Sequence, residues 1–140
     1  MSASSSVSSA VSAIPAWHQL LEQRNPNGLD TLLADDVVFL SPVVHTPQLG
    51  KALCKMYLTG AMHVLGNDKF RYVREIHGPR DAMLEFETEI DGILINGVDI
   101  IKWNDAGQII EFKVMLRPLK AVNLVHQKMG ELLQKFMGKK

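Results

Sequence analysis

The spacing of apolar side chains changes once along this chain, from a period near 3.6 to a period of 2, and the change divides it into a helical half and a stranded half. Ile14, Trp17, Leu20 and Leu21 recur at helical spacing, with Pro15 suited to the first turn. Arg24-Asn25-Pro26-Asn27-Gly28 breaks that helix. Leu29, Leu32 and Leu33 predict a short second helix ending at Asp35-Asp36, followed by a β-branched and aromatic strand over residues 37–40 that stops at Ser41-Pro42. A third helix is expected from about Gly50 to Leu65, with Leu53, Tyr57, Ala61 and Val64 as its apolar stripe.

From Lys69 the pattern is that of strands. Phe70, Tyr72 and Ile76 alternate with Arg71, Val73, Glu75 and His77, and Gly78-Pro79-Arg80-Asp81 predicts a turn. The next strand sets Leu84, Phe86, Thr88 and Ile90 against Glu85, Glu87 and Glu89. Asp91-Gly92 is a hairpin signal, and Ile93 to Pro118 reads as two long strands joined at Asp105-Ala106-Gly107. Val122, Val125, Met129, Leu132, Leu133 and Phe136 then predict a C-terminal amphipathic helix. The fold class that follows is α+β: a curved, cone-shaped antiparallel sheet wrapped by the N-terminal helices, with a helix at the C-terminus. Residues 1–13 read as a disordered Ser/Ala-rich tail and residues 14–140 as one domain.

Composition narrows the function classes. Fifteen basic residues balance fifteen acidic ones, so no global field favours nucleic acid or an anionic membrane, and neither is expected as a partner. The single cysteine, Cys54, excludes an intrachain disulfide and a cysteine-based metal cluster, and fits a cytoplasmic protein. The five histidines show no metal-binding spacing, so no metal site is expected. Glu85, Glu87 and Glu89 read as a salt-bridged outer face opposite Arg71 or Lys113.

Candidate chemistry centres on Asp99, a lone carboxylate flanked by Val98, Ile100 and Ile101. Burying it charged is costly, so the position implies a raised pKa, a partner, or a place on a solvent-facing side of the sheet. His45, in the loop between Pro42 and Pro47, is the candidate proton partner, because imidazole exchanges protons near neutrality. Trp17, Ser41, Tyr57, Met62, Phe112 and Leu116 are the candidate ligand-binding residues of a helix–sheet pocket, the default place for a small apolar molecule. His18, one position after Trp17, is expected to turn about 100° away from it.

Three stretches carry a family resemblance: Leu33-Ala34-Asp35-Asp36-Val37-Val38-Phe39 with Ser41-Pro42, Gly97 to Trp103, and Asp105-Ala106-Gly107-Gln108-Ile109. From Ile14 to Pro118 the chain resembles the SnoaL-like branch of the nuclear transport factor 2-like superfamily, relatives of the ketosteroid isomerases and polyketide cyclases. The resemblance implies a conical α+β fold, a cofactor-independent isomerase, cyclase or dehydratase acting by proton transfer, and a homodimer formed through the sheet. It sets Asp99 where the isomerases hold a protonated aspartate; that enzyme is itself a standard example of a neutral carboxylic acid. Ser41 falls where they carry the catalytic base, and Trp17 where they carry an oxyanion tyrosine. The retained acid points to catalysis; the missing base points to a non-catalytic carrier or sensor. Outward-facing Val98 and Ile100 agree with a covered sheet face.

Overall fold

The computed structural model describes residues 12–136. Its elements run α1 (Ile14–Gln23), a 3₁₀ turn (Pro26–Gly28), α2 (Leu29–Leu32), β1 (Leu33–Leu40), β2 (Gln48–Leu49) and α3 (Lys51–Leu65), then β3 (Arg71–His77), β4 (Asp81–Ile90), β5 (Ile93–Trp103), β6 (Ile109–Arg117) and α4 (Leu119–Phe136). The strands form one six-stranded curved sheet in the order β2-β1-β6-β5-β4-β3, with only the β1–β6 pair parallel. This is the α+β architecture the periodicity predicts. Most of the tail, residues 1–11, lies outside the described residues; Ala13 is already buried, and Ser12 Oγ accepts the N–H of Ile14 at 3.1 Å.

Two predicted boundaries move. The second helix ends at Leu32, and Asp35-Asp36 belong to β1, where both are exposed beside buried Ala34 and Val37. Helix propensity in a four-residue segment cannot outweigh pairing with β6. The short β2 pairs with β1 through Val38 and Phe39 and was not legible as a strand.

The β4–β5 hairpin closes as its sequence predicts. Asp91 and Gly92 take φ values of 53° and 78°, the left-handed pair of a two-residue turn, and Ile90 pairs with Ile93. Along β5 the alternation then turns Ile95, Gly97, Asp99, Ile101 and Trp103 inward. Gly97 is there for closeness: a Cβ would stand 2.5 Å from the Phe86 ring and 2.8 Å from Leu116.

The alternation expected of β3 fails at one point. A register shift between Tyr72 and Arg74 leaves Tyr72 opposite Phe86, but sets Glu75 opposite Leu84 and Ile76 opposite Met83. An extra residue in one strand reverses every later side chain. Glu75 therefore shares the face of buried Leu84, while Ile76 joins the exposed outer face. A second shift of the same size beyond Lys102 makes Ile109, not Ile110, the inward residue at the start of β6.

The outer carboxylates pair with basic neighbours. Arg71 meets Glu87 at 3.1 Å, Arg74 meets Glu85 at 3.0 Å and Lys69 meets Glu89 at 3.7 Å. Hydrogen bonding from Asn96, with Arg74 beside it, holds the Glu85 carboxyl below its usual range.

Candidate functional site

Between α1, the end of α3 and the inner face of the sheet lies a cavity of about 570 Å³. Leu58, Met62, Phe70, Phe86, Phe112 and Val114 supply apolar wall. Exposed Glu22, Arg24, His63 and Arg71 mark its opening, between the C-terminal ends of α1 and α3 and the start of β3.

A polar chain crosses the apolar wall. Trp17 donates its indole N–H to the Tyr72 hydroxyl oxygen at 2.9 Å, and Tyr72 donates its O–H to Asp99 Oδ2 at 2.6 Å. Each member is delivered by a different element: Trp17 by the buried stripe of α1, Tyr72 by β3 ahead of its bulge, Asp99 by the inward set of β5. Asp99 is 6% exposed and lines the cavity, and its other oxygen, Oδ1, takes no bond from a described protein group.

Burial pushes the Asp99 carboxyl from its usual 3.8 up to about 7, against the pull of the Tyr72 hydrogen bond, which favours the charged form. Burial, and then the carboxylate beside it, raises the Tyr72 hydroxyl well above its ordinary range, so Tyr72 stays a donor at any physiological pH. Burial therefore keeps the acid form of Asp99 accessible near neutrality, and Oδ1 is the oxygen that no described protein group bonds.

The candidate residues divide. Asp99, Trp17, Met62 and Phe112 line this cavity. Tyr57 and Leu116 do not; Tyr57 stacks on Phe39 with ring centroids 5.6 Å apart, and Leu116 packs against the core beside Gly97. Ser41 turns into its own loop, where Oγ accepts the N–H groups of Val43 and Val44 at 3.1 and 3.3 Å. His45 is exposed, in the loop from β1 to β2, and is not among the residues that line the cavity. The structure thus does not bring His45 to Asp99. His18, expected to turn away, also lines the cavity: Trp17 is its buried wall and His18 its half-buried edge.

Among the described residues no three His, Cys, Asp or Glu side chains converge as metal ligands. Cys54 is buried on α3 with its S–H directed at the carbonyls of Val37 and Gln48, and burial pushes the thiol up to about 11, which removes it as a nucleophile.

Comparison with solved structures places the fold. A steroid delta-isomerase from Pseudomonas aeruginosa is 32% identical, with 89% of this chain and 91% of that one covered and a TM-score of 0.84. The chain belongs to the nuclear transport factor 2-like superfamily. An uncharacterized protein with a cystatin-like fold from Silicibacter pomeroyi is 28% identical over 85% of this chain and 83% of its own, with a TM-score of 0.78. A protein with a ketosteroid isomerase-like fold from Catenulispora acidiphila, solved with trimethylamine, is 15% identical over 81% and 90% of the two chains at a TM-score of 0.59, a likeness of fold alone. No family model and no curated protein matches the sequence. Within this nuclear transport factor 2-like domain, no helix of the described residues is long and apolar enough to cross a membrane.

Tyr72 is the site residue that the sequence did not single out. Its signal was present: an aromatic hydroxyl on the same inward alternation as Phe70, one strand beyond the partner of the strand bearing Asp99.

Proposed function

We propose that this nuclear transport factor 2-like protein is of the SnoaL-like kind: it binds a small, mostly apolar carbonyl compound in the cavity and moves a proton on it, as an isomerase, cyclase or dehydratase. The observation that carries this reading is a buried carboxyl lining the cavity, with one oxygen fixed by Tyr72 and the other bonded by no described protein group beside an apolar wall; burial raises its pKa and favours its acid form. As the acid, Asp99 donates to a ligand oxygen and stabilises the charge that develops there when a neighbouring C–H ionises. Such a reaction needs neither a metal nor an organic cofactor.

The test uses 2-tetralone, an apolar bicyclic ketone with an enolisable C–H, incubated with the protein in D₂O and followed by proton NMR. The wild-type protein accelerates exchange at the enolisable carbon, and Asp99→Asn slows it by roughly 10²-fold or more while binding persists. Binding without exchange in the wild type identifies a carrier or sensor instead, the reading that the absence of a base at Ser41 favours.

We further propose a homodimer through the outer sheet face. Ile76, Met83 and Met115 are 59%, 43% and 51% exposed and line one apolar groove with Val98, edged by Arg74, Glu85 and Arg117. The bulge in β3 adds Ile76 to this face. Sedimentation velocity is expected to give a dimer, and Met115→Arg a monomer; a wild-type monomer at tens of micromolar rejects the proposal.

A further inference from the structure

The position where the isomerases carry a base holds Ser41, which neither lines the cavity nor has an activating partner. Another group does line it. His18 Nε2 stands 2.7 Å from Glu75 Oε2, and the imidazole packs edge-on against the Tyr72 ring with centroids 5.4 Å apart. Tyr72 thus touches both His18, through its ring, and Asp99, through its hydroxyl. Glu75 is held from its other side by His77, whose Nε2 lies 2.8 Å from Oε1.

From this geometry we infer that His18, oriented by Glu75, is the general base of the cavity and Asp99, joined to it through Tyr72, the acid, acting on an enolisable ketone. The inference rests on the proton-transfer reading above and adds the group that reading lacks.

A carboxylate on one ring nitrogen fixes the tautomer and the orientation of an imidazole. In the neutral imidazole that donates Nε2–H to Glu75 the lone pair is on Nδ1, which has no hydrogen-bond partner among the described residues. Nδ1 takes the proton from the carbon beside the carbonyl. The electron pair of that C–H bond becomes the carbon–carbon π bond, and the carbonyl π pair moves onto oxygen, which receives the hydrogen bond of the Asp99 acid. Return of a proton from Nδ1–H to that carbon of the enolate, as the oxygen pair re-forms the carbonyl, regenerates the ketone and the free base. No oxidant, reductant or co-reactant enters. The bulge in β3 is what makes the dyad, since unbroken alternation would point Glu75 away from α1.

The same exchange assay with 2-tetralone decides it. His18→Ala lowers the exchange rate by roughly 10²- to 10⁴-fold with the dissociation constant of the probe changed less than about threefold, and added imidazole restores exchange in the variant. Glu75→Gln, which positions rather than reacts, lowers the rate by roughly tenfold or more with binding unchanged, and Glu75→Asp recovers part of it. Exchange in His18→Ala equal to wild type, while Asp99→Asn has lost it, overturns the assignment and leaves the proton-transfer reading standing. A slow His18→Ala that imidazole does not rescue overturns the base role as well. A wild-type protein that exchanges nothing overturns both.

Discussion

Asp99→Asn makes the folded protein more stable at neutral and alkaline pH and leaves its stability nearly unchanged at about pH 4 and below. Folding raises the carboxyl from 3.8 to about 7, so the native state binds this proton more tightly than the unfolded chain does. Below about pH 4 both states carry the proton, and the residue costs nothing. As the pH rises from about 4 to about 7 the unfolded chain releases it while the native state retains it, and stability falls by about 1.4 kcal/mol per pH unit. Above about pH 7 the loss is constant, at most about 4 kcal/mol. Asparagine has nothing to titrate. Its Oδ1 keeps the Tyr72 hydrogen bond, and its amide takes the place of the oxygen that no described protein group bonds. Urea unfolding of both proteins at about pH 4 and about pH 8 is therefore expected to show a small difference at the lower pH and one of several kcal/mol at the higher. Equal stability at both values shows that the carboxyl is not penalised by burial, and removes the physical basis of its role as an acid. The stabilised variant is also the one expected to lose exchange, a trade of stability against function at one atom.

Much of this site was legible in the sequence because two periodicities fix it. Trp17 follows from the stripe of α1, and Asp99 from the alternation Gly97, Asp99, Ile101 on a long strand. The hairpin at Asp91-Gly92 pins the register that brings β4 against β5, which makes the inward set reliable. The fold class follows from the same patterns. The parts that were not legible depend on departures from period. A bulge has no composition of its own, so Glu75 and Ile76 exchanged faces without a local signal. With Glu75 on the wrong side, the partner of His18 was invisible, and proximity in a loop made His45 the substitute. Loop residues are placed by what they bond, and Ser41 accepting the amides of Val43 and Val44 could not be read from spacing. Asp35 and Asp36 were misplaced for a related reason: β1 tolerates them because their side chains are exposed on the strand that lies between β2 and β6.

Tyr72 connects the legible and illegible halves. It is held by Trp17, bonds Asp99 and packs against His18, so the carboxyl and the imidazole are both held by one ring. That ring itself sits edge-on to Phe70 at 5.1 Å, and Phe70 stacks on Phe86. The cavity wall and the polar chain are thus one packed unit, and a change in the wall is felt at the carboxyl.

Trp17 tests that coupling most severely, because it is both wall and donor. It is 3% exposed, packs edge-on to Phe112 at 4.9 Å, and donates to Tyr72. Trp17→Ala removes a large buried ring from the junction of α1 with the sheet and is expected to cost about 3–5 kcal/mol, measured by urea unfolding. Trp17→Phe keeps the six-membered ring but removes the N–H with the two ring carbons beside it, so the expected cost is smaller, about 1–2 kcal/mol. The two variants separate the roles. If packing dominates, alanine is far the worse for stability while phenylalanine retains the fold and binds 2-tetralone. The phenylalanine variant still weakens the acid site, since a Tyr72 hydroxyl that accepts no bond is a poorer donor to Asp99. With that donation weakened, the form it favours, the carboxylate, loses support, and the Asp99 carboxyl rises further above its already raised value. Proton exchange in Trp17→Phe should then keep its acid form to higher pH than the wild type does. Equal losses of stability in the two variants would mean that the indole N–H, not the ring, anchors α1, and that Tyr72 is held in place by this bond rather than by Phe70 and Phe86.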